Sequence, residues 1–162
     1  MEDLAAFVLS IRATKPCVIR QHMGRAIQQF LLGVIQAANP QLSAFIHDQP
    51  HGPKPYTTST LMSHDSTIPV HGNVAANTQL WLRIVGLQRE VVAALYEFYS
   101  HSPSRMEIDR HPWSVDAIYL SNTDHPWAGT TTYMALLSDA MQAPPPRTLR
   151  MRFESPTSFH SN

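Results

Sequence analysis

Cysteine is nearly absent from the chain. A single one, Cys17, excludes an intramolecular disulfide and points to a reducing, cytoplasmic setting. Long apolar runs are missing too: nothing approaches the roughly 20 residues a membrane-spanning helix needs. The apolar stretch Leu4–Ile11 follows Glu2 and Asp3, where a secretory leader carries Lys or Arg. Glycine is sparse, 6 against 13 prolines, and no Gly-rich loop that could cradle phosphates occurs. No Gly-x-Ser-x-Gly turn marks a serine hydrolase. Net charge of one sign is also lacking. Lys and Arg number 12, Asp and Glu 12, so with its nine histidines neutral the chain has formal charge zero. That argues against non-specific polyanion binding but leaves room for a local basic patch.

What is present is one domain's worth of residues with clear periodicity. At 162 residues the chain can hide roughly two-thirds of its unfolded surface. Phe7, Leu9 and Ile11 alternate with Val8, Ser10 and Arg12, a strand with one polar-leaning face that Lys15-Pro16 stops. From Val18 to Ala38 the period is helical, with Met23, Ile27, Phe30, Leu31 and Val34 in one stripe. Arg25, Gln29, Leu32 and Gln36 fall opposite, so Leu32 is the odd apolar member of a polar face. Asn39-Pro40 opens a short helix through His47 and Asp48, whose apolar side is Leu42, Phe45 and Ile46. Pro50, Gly52, Pro53 and Pro55 then hold a stiff loop around Lys54, one of two lysines. A strand over Tyr56–Ser63, a loop over His64–Asn77 and a strand over Leu80–Val85 follow. After Gly86 comes a helix around Val92, Leu95 and Phe98/Tyr99. Met106–Leu120 reads as extended, interrupted at His111-Pro112. Thr130–Gln142 reads as a helix capped by Thr130 or Thr131. After the prolines at 144–146, Leu149, Met151 and Phe153 alternate with Arg150 and Arg152 in a last strand.

The order strand–helix–strand–strand–helix–strand is that of an α+β ferredoxin-like domain. It predicts an antiparallel sheet with helices on one face and an extra helix before the last strand. Residues 1–155 form this domain and 156–162 a tail. Arg12, Arg83, Arg150 and Arg152 take the non-core phase of their strands. The same βαββαβ fold serves RNA-recognition modules through an open sheet face, although their aromatic boxes are absent here. His47 and His51 have the spacing of a zinc pair on a helix, but Pro50 and Gly52 forbid that helix and no third ligand is suggested. We therefore expect no metal and no cofactor. His111-Pro-Trp113 and His125-Pro-Trp127 echo one another, and their differing surroundings make the echo look fortuitous.

Five stretches in order carry a resemblance. They are Gly24-Arg25, Asn39-Pro40 through Phe45-Ile46-His47-Asp48, Gly52-Pro53-Lys54-Pro55-Tyr56-Thr57, His125-Pro126-Trp127-Ala128-Gly129-Thr130, and Arg152-Phe153-Glu154-Ser155-Pro156-Thr157-Ser158-Phe159. Together they resemble the CRISPR-associated endoribonucleases that cut repeat RNA, the sixth Cas family, over its amino-terminal half. The resemblance implies metal-independent attack of a ribose 2′-OH on the adjacent phosphate, giving a 2′,3′-cyclic phosphate and a 5′-OH. It implies His47 as general acid/base and Lys54 as support for phosphorane charge. The third catalytic position, on the first helix, is Tyr in some members, where this chain has Leu32, and Arg in others, which Arg25 matches; Leu32 is then expected to face the place where a second half would dock or RNA would pass. His47, Lys54 and Arg25 are expected to be partly exposed around one concavity. Arg20, Arg12, Arg83, Arg150 and Arg152 are the expected RNA contacts. The implied partners are repeat RNA and a second ferredoxin-like half or chain, or a homodimer covering the exposed sheet, with no membrane. Two other readings remain open: a non-catalytic RNA-binding or assembly module on the same fold, and an unrelated small enzyme using its histidines.

Overall fold

Strand β1, Leu4–Ala13, lies at the centre of the sheet, with β6 (Gln79–Gly86) antiparallel on one side and β8 (His111–Tyr119) antiparallel on the other. The computed structural model describes residues 2–21, 23–48, 53–142 and 148. The remaining elements, in chain order, are β2 (Cys17–Ile19), α1 (Gly24–Ala38), α2 (Pro40–His47), β3 (Tyr56–Thr58), β4 (Met62–Ser63), β5 (Gly72–Val74), α3 (Arg89–Ser100), β7 (Arg105–Ile108), β9 (Gly129–Thr131) and α4 (Tyr133–Gln142). The sheet runs β3-β6-β1-β8-β7, with β4 extending β3 along β6, and β9 extending β8 along β1. This is the ferredoxin-like strand arrangement.

The helices cover one face, as the periodicity requires. Ile27, Leu31 and Ile35 of α1, and Val91, Val92 and Leu95 of α3, are buried against Phe7, Leu9, Ile11, Leu80, Leu82 and Ile84. Phe30 and Phe98 meet edge-on at 5.8 Å, a favoured aromatic geometry, where α1 lies beside α3. Gly86 lets α3 start close to the sheet, because a Cβ there would sit 2.8 Å from Val92 Cγ2 and 3.2 Å from Val92 N.

Several expectations change. Helix α1 begins at Gly24 rather than Val18, since β-branched Val18 and Ile19 pair with Asn73 and Gly72 in a separate two-stranded ribbon within the expected 64–77 loop. Tyr56–Ser63 is two short strands on β6, broken between Thr58 and Met62. The strand that closes the sheet beside β1 is His111–Tyr119, ahead of α4. Its break from β7 is a two-residue turn at Asp109 and Arg110, φ 52° and 63°, the sign a type I′ hairpin requires at both central positions. Leu149–Phe153 lies outside the described residues. Helix α4 is capped by Thr132, whose Oγ1 accepts from Ala135 N at 3.0 Å, rather than by Thr130 or Thr131, which belong to β9.

The far face of the sheet is not open. Val8, on the expected polar phase, is fully buried with Met62, Trp81 and Ala128, and Tyr119 packs on them. Cover comes from β4 and from residues 120–128, which fold across β1 before β9 rejoins it. Ser10 is buried on this face and its Oγ accepts from Gln79 Nε2 at 3.0 Å.

Candidate functional site

Helix α2 starts where the sequence places it. Asn39 Oδ1 accepts from Leu42 N at 3.0 Å and Pro40 takes the first helical position. Ile46 is buried and Leu42 packs on the core, which anchors the helix. Phe45, expected on the apolar side, is 56% exposed. His47 ends the helix with an exposed side chain, its Nδ1 3.7 Å from Asp48 Oδ1. Lys54 is half-buried and its Nζ donates to the carbonyl of Ile46 at 3.0 Å. An ammonium on a last-turn carbonyl suits the negative end of the helix dipole. It also ties Lys54 to the residue preceding His47. His51 lies outside the described residues.

Arg25 projects from the first turn of α1, exposed and in no ion pair among the described residues. It lines a hollow of about 460 Å³ with Gln21, Thr58, Ser59, Thr60 and His71. His47 and Lys54 are not among those lining residues, so the three do not share this hollow. They lie along one edge of the domain nonetheless. Gln28 Nε2 donates to Tyr56 OH at 2.8 Å, tying α1 to β3. Arg25 is three residues, just under one helical turn, before Gln28, and Lys54 is two residues before Tyr56. Leu32 does not form an open docking surface: it is half-buried and packs against the core, because α1 is covered by α2 as well as by the sheet and α3.

The basic residues separate. Arg12 Nη2 lies 2.8 Å from Asp116 Oδ2, a carboxylate brought alongside by the register shift between Ser10 and Ile11. Arg20 is exposed, with Nε 3.8 Å from Asp109 Oδ2. Arg83 pairs across from Val8, four residues along β1 from Arg12, about 14 Å at strand rise. Arg12 is turned to Asp116 and Arg83 to Trp127 O, so the two guanidinium groups are committed to different partners. Arg150 and Arg152 lie outside the described residues.

A cluster that sequence reasoning passed over sits on the covered face. His125 stacks on Tyr119 at 5.6 Å and tilts against Trp81 at 5.1 Å. Its Nδ1 accepts from Trp127 N at 3.2 Å. Arg83 Nε donates to Trp127 O at 2.8 Å. Burial lowers the Arg83 pKa from its ordinary value. The signal available in the sequence was Trp81, a large aromatic on the solvent phase of β6, together with the His125-Pro-Trp127 tip.

Burial, then the nearby His64, push the His125 pKa down. The unfolded chain, with His near 6.5, therefore binds the proton more readily than the folded one. The His125 contribution to stability is present above pH 6.5 and is lost as pH falls through the lower folded value. Thermal melts between pH 7.5 and 5.5 should show wild type losing stability more steeply than His125→Phe. Parallel curves would exclude this role.

Among the described residues, no group of three His, Cys, Asp or Glu could share a metal ion. No described helix is long and apolar enough to cross a membrane.

No protein-family model and no curated protein matches the chain. Solved structures do. A Cas6 product complex superposes with TM-score 0.64 at 19% identity, over 82% of this chain and 47% of that one. A second Cas6 product complex gives TM-score 0.56 at 23% identity, over 89% and 48%. A structure described as a Cas6-related gene from Pyrococcus furiosus gives 0.53 at 18%, over 71% and 46%. At these identities the likeness establishes the fold. The chain spans about half the length of each of these structures.

Proposed function

We propose that this chain is the His47-bearing half of a CRISPR repeat-RNA endoribonuclease. The observation that carries the reading is the hydrogen bond from Lys54 to Ile46, which holds a cation beside the helix end that presents His47. The likeness in fold to Cas6 structures, two of them product complexes, supports it.

In this reading the 2′-OH of one ribose loses its proton and attacks the adjacent phosphorus. The bond to the 5′-oxygen breaks, that oxygen takes up a proton, and the products are a 2′,3′-cyclic phosphate and a 5′-OH. An imidazole is suited to carry a proton in either step. The Lys54 ammonium offsets charge building on the phosphoryl oxygens. Arg25, exposed along the same edge, contacts a flanking phosphate. A second ferredoxin-like half or chain completes the grip on RNA.

The test is cleavage of repeat RNA with the second half supplied. Cutting is expected in EDTA at a rate close to that with added magnesium, with a 2′,3′-cyclic phosphate on the upstream product. A requirement for divalent metal, or a 3′-OH product, would remove the mechanism.

A further inference from the structure

A hydroxyl sits where the core does not need one. Tyr56 is the first residue of β3 and only 6% exposed, its ring packed in the main core. A phenylalanine would fill the same space. The hydroxyl instead obliges α1 to supply a partner, and Gln28 Nε2 donates to it at 2.8 Å. Replacing both members of such a pair by apolar groups of the same shape can be nearly neutral, so stability alone does not call for it. Its place in the fold supplies another reason.

The three side chains assigned to the reaction stand on two sides of the domain. Arg25 and His47 belong to the helices. Helices α1 and α2 share Asn39, whose N–H closes α1 on Ile35 O while its side chain caps α2 at Leu42 N, so no linker separates them. Lys54 belongs to the sheet side. It lies between Pro53 and Pro55, whose rings fix φ on either side of it and keep it out of the helical region. Pro55 O then accepts from Leu87 N at 2.8 Å, and Tyr56 pairs with Gly86 on β6. Among the described residues two side-chain hydrogen bonds cross between these sides. One runs from Lys54 Nζ to Ile46 O, and it uses the same ammonium that must meet phosphate. The other runs from Gln28 to Tyr56 and takes no part in the chemistry.

We propose that Tyr56, held by Gln28, is a positioning residue for cleavage, setting how far the Lys54 ammonium stands from a phosphate presented at His47. The proposal rests on the reading of His47 and Lys54 as the reacting pair. The buried Tyr56 hydroxyl does not itself reach RNA. When the ammonium turns N–H groups toward phosphate, the Gln28 bond keeps α1 and α2 in register with β3. Displacements of about 1 Å in a reacting geometry cost on the order of 10²-fold in rate.

Single-turnover cleavage of repeat RNA, with the second half supplied, tests this in Tyr56→Phe and Gln28→Leu. Each is expected to slow cutting by about 10- to 100-fold. RNA affinity and the circular dichroism spectrum should stay as in wild type. Gln28→Leu keeps a helix former at a half-buried position, so it carries the test if Tyr56→Phe lowers the melting point. The double variant should be no slower than the slower single one, because both remove the same bond. In a Lys54→Ala background Tyr56→Phe should have no further effect, since its influence passes through the ammonium. A merely structural role would act equally with or without Lys54. Wild-type rates in both single variants, weaker RNA binding in place of slower cutting, or the same loss with Lys54 absent would overturn the proposal. Cleavage that falls in His47→Ala but in neither Tyr56→Phe nor Gln28→Leu keeps the catalytic reading and rejects this role. Cleavage untouched by His47→Ala removes both.

Discussion

Replacing His47 with alanine is expected to lower the single-turnover rate of repeat-RNA cleavage by about 10²–10⁴, the span a positioned general acid or base contributes. The assay needs the second half or chain present. RNA affinity should change little, since the residue is assigned to proton transfer and not to holding phosphate. The His47 side chain is 84% exposed, so its surroundings in the free protein are mostly water. RNA must close over it for the imidazole to act. Added imidazole should therefore regain entry and restore part of the rate in the alanine variant. Rescue of this kind would not be seen if His47 merely braced α2. A His47→Ala rate within about threefold of wild type would take the residue out of the mechanism.

Trp113→Ala should cost about 3–5 kcal/mol, the range for emptying a buried aromatic site. Trp113 is fully buried on the helix side of β8, opposite Ala13 of β1. Domains of this kind are stable by about 5–15 kcal/mol, so the loss is a large fraction of the total. Trp113→Phe separates two contributions. The indole Nε1 is buried and has no hydrogen-bond partner among the described residues, an arrangement that itself costs free energy. Phenylalanine removes that unpaired N–H while keeping most of the apolar contact. Urea unfolding should thus place Trp113→Phe much nearer wild type than Trp113→Ala. Equal losses for the two would mean that ring volume is not what the site needs.

Elements long enough to repeat their period are legible in the residues. Phe7, Leu9 and Ile11 mark β1. Ile27 and Leu31 mark the buried stripe of α1, and Asn39-Pro40 marks the start of α2. The β2–β5 ribbon escapes because three-residue strands hold a single alternation each. Leu32 is half-buried despite its polar-face phase because a helix flanked by α2, α3 and the sheet is covered around more than one stripe. His47 and Lys54 stand out through local chemistry, a cap, a short helix and a proline-rich return. The pairing of Arg83 with Trp127 spans 44 positions and depends on a loop with no periodicity, so nothing local announces it.

That loop has a further consequence, for how such a domain can vary. Strand β8 leaves β1 at the pairing of Tyr119 with Val8, and β9 rejoins it at Gly129 with Ala6. The excursion therefore begins and ends two positions apart on a single strand edge. Its two feet are fixed by the sheet whatever lies between them. Closure entropy grows only slowly with length, so residues could be inserted or removed between Leu120 and Ala128 without shifting any register. Related chains can thus exchange this segment as a cassette, resurfacing one side of the sheet while α1, α2 and the His47 end stay as they are.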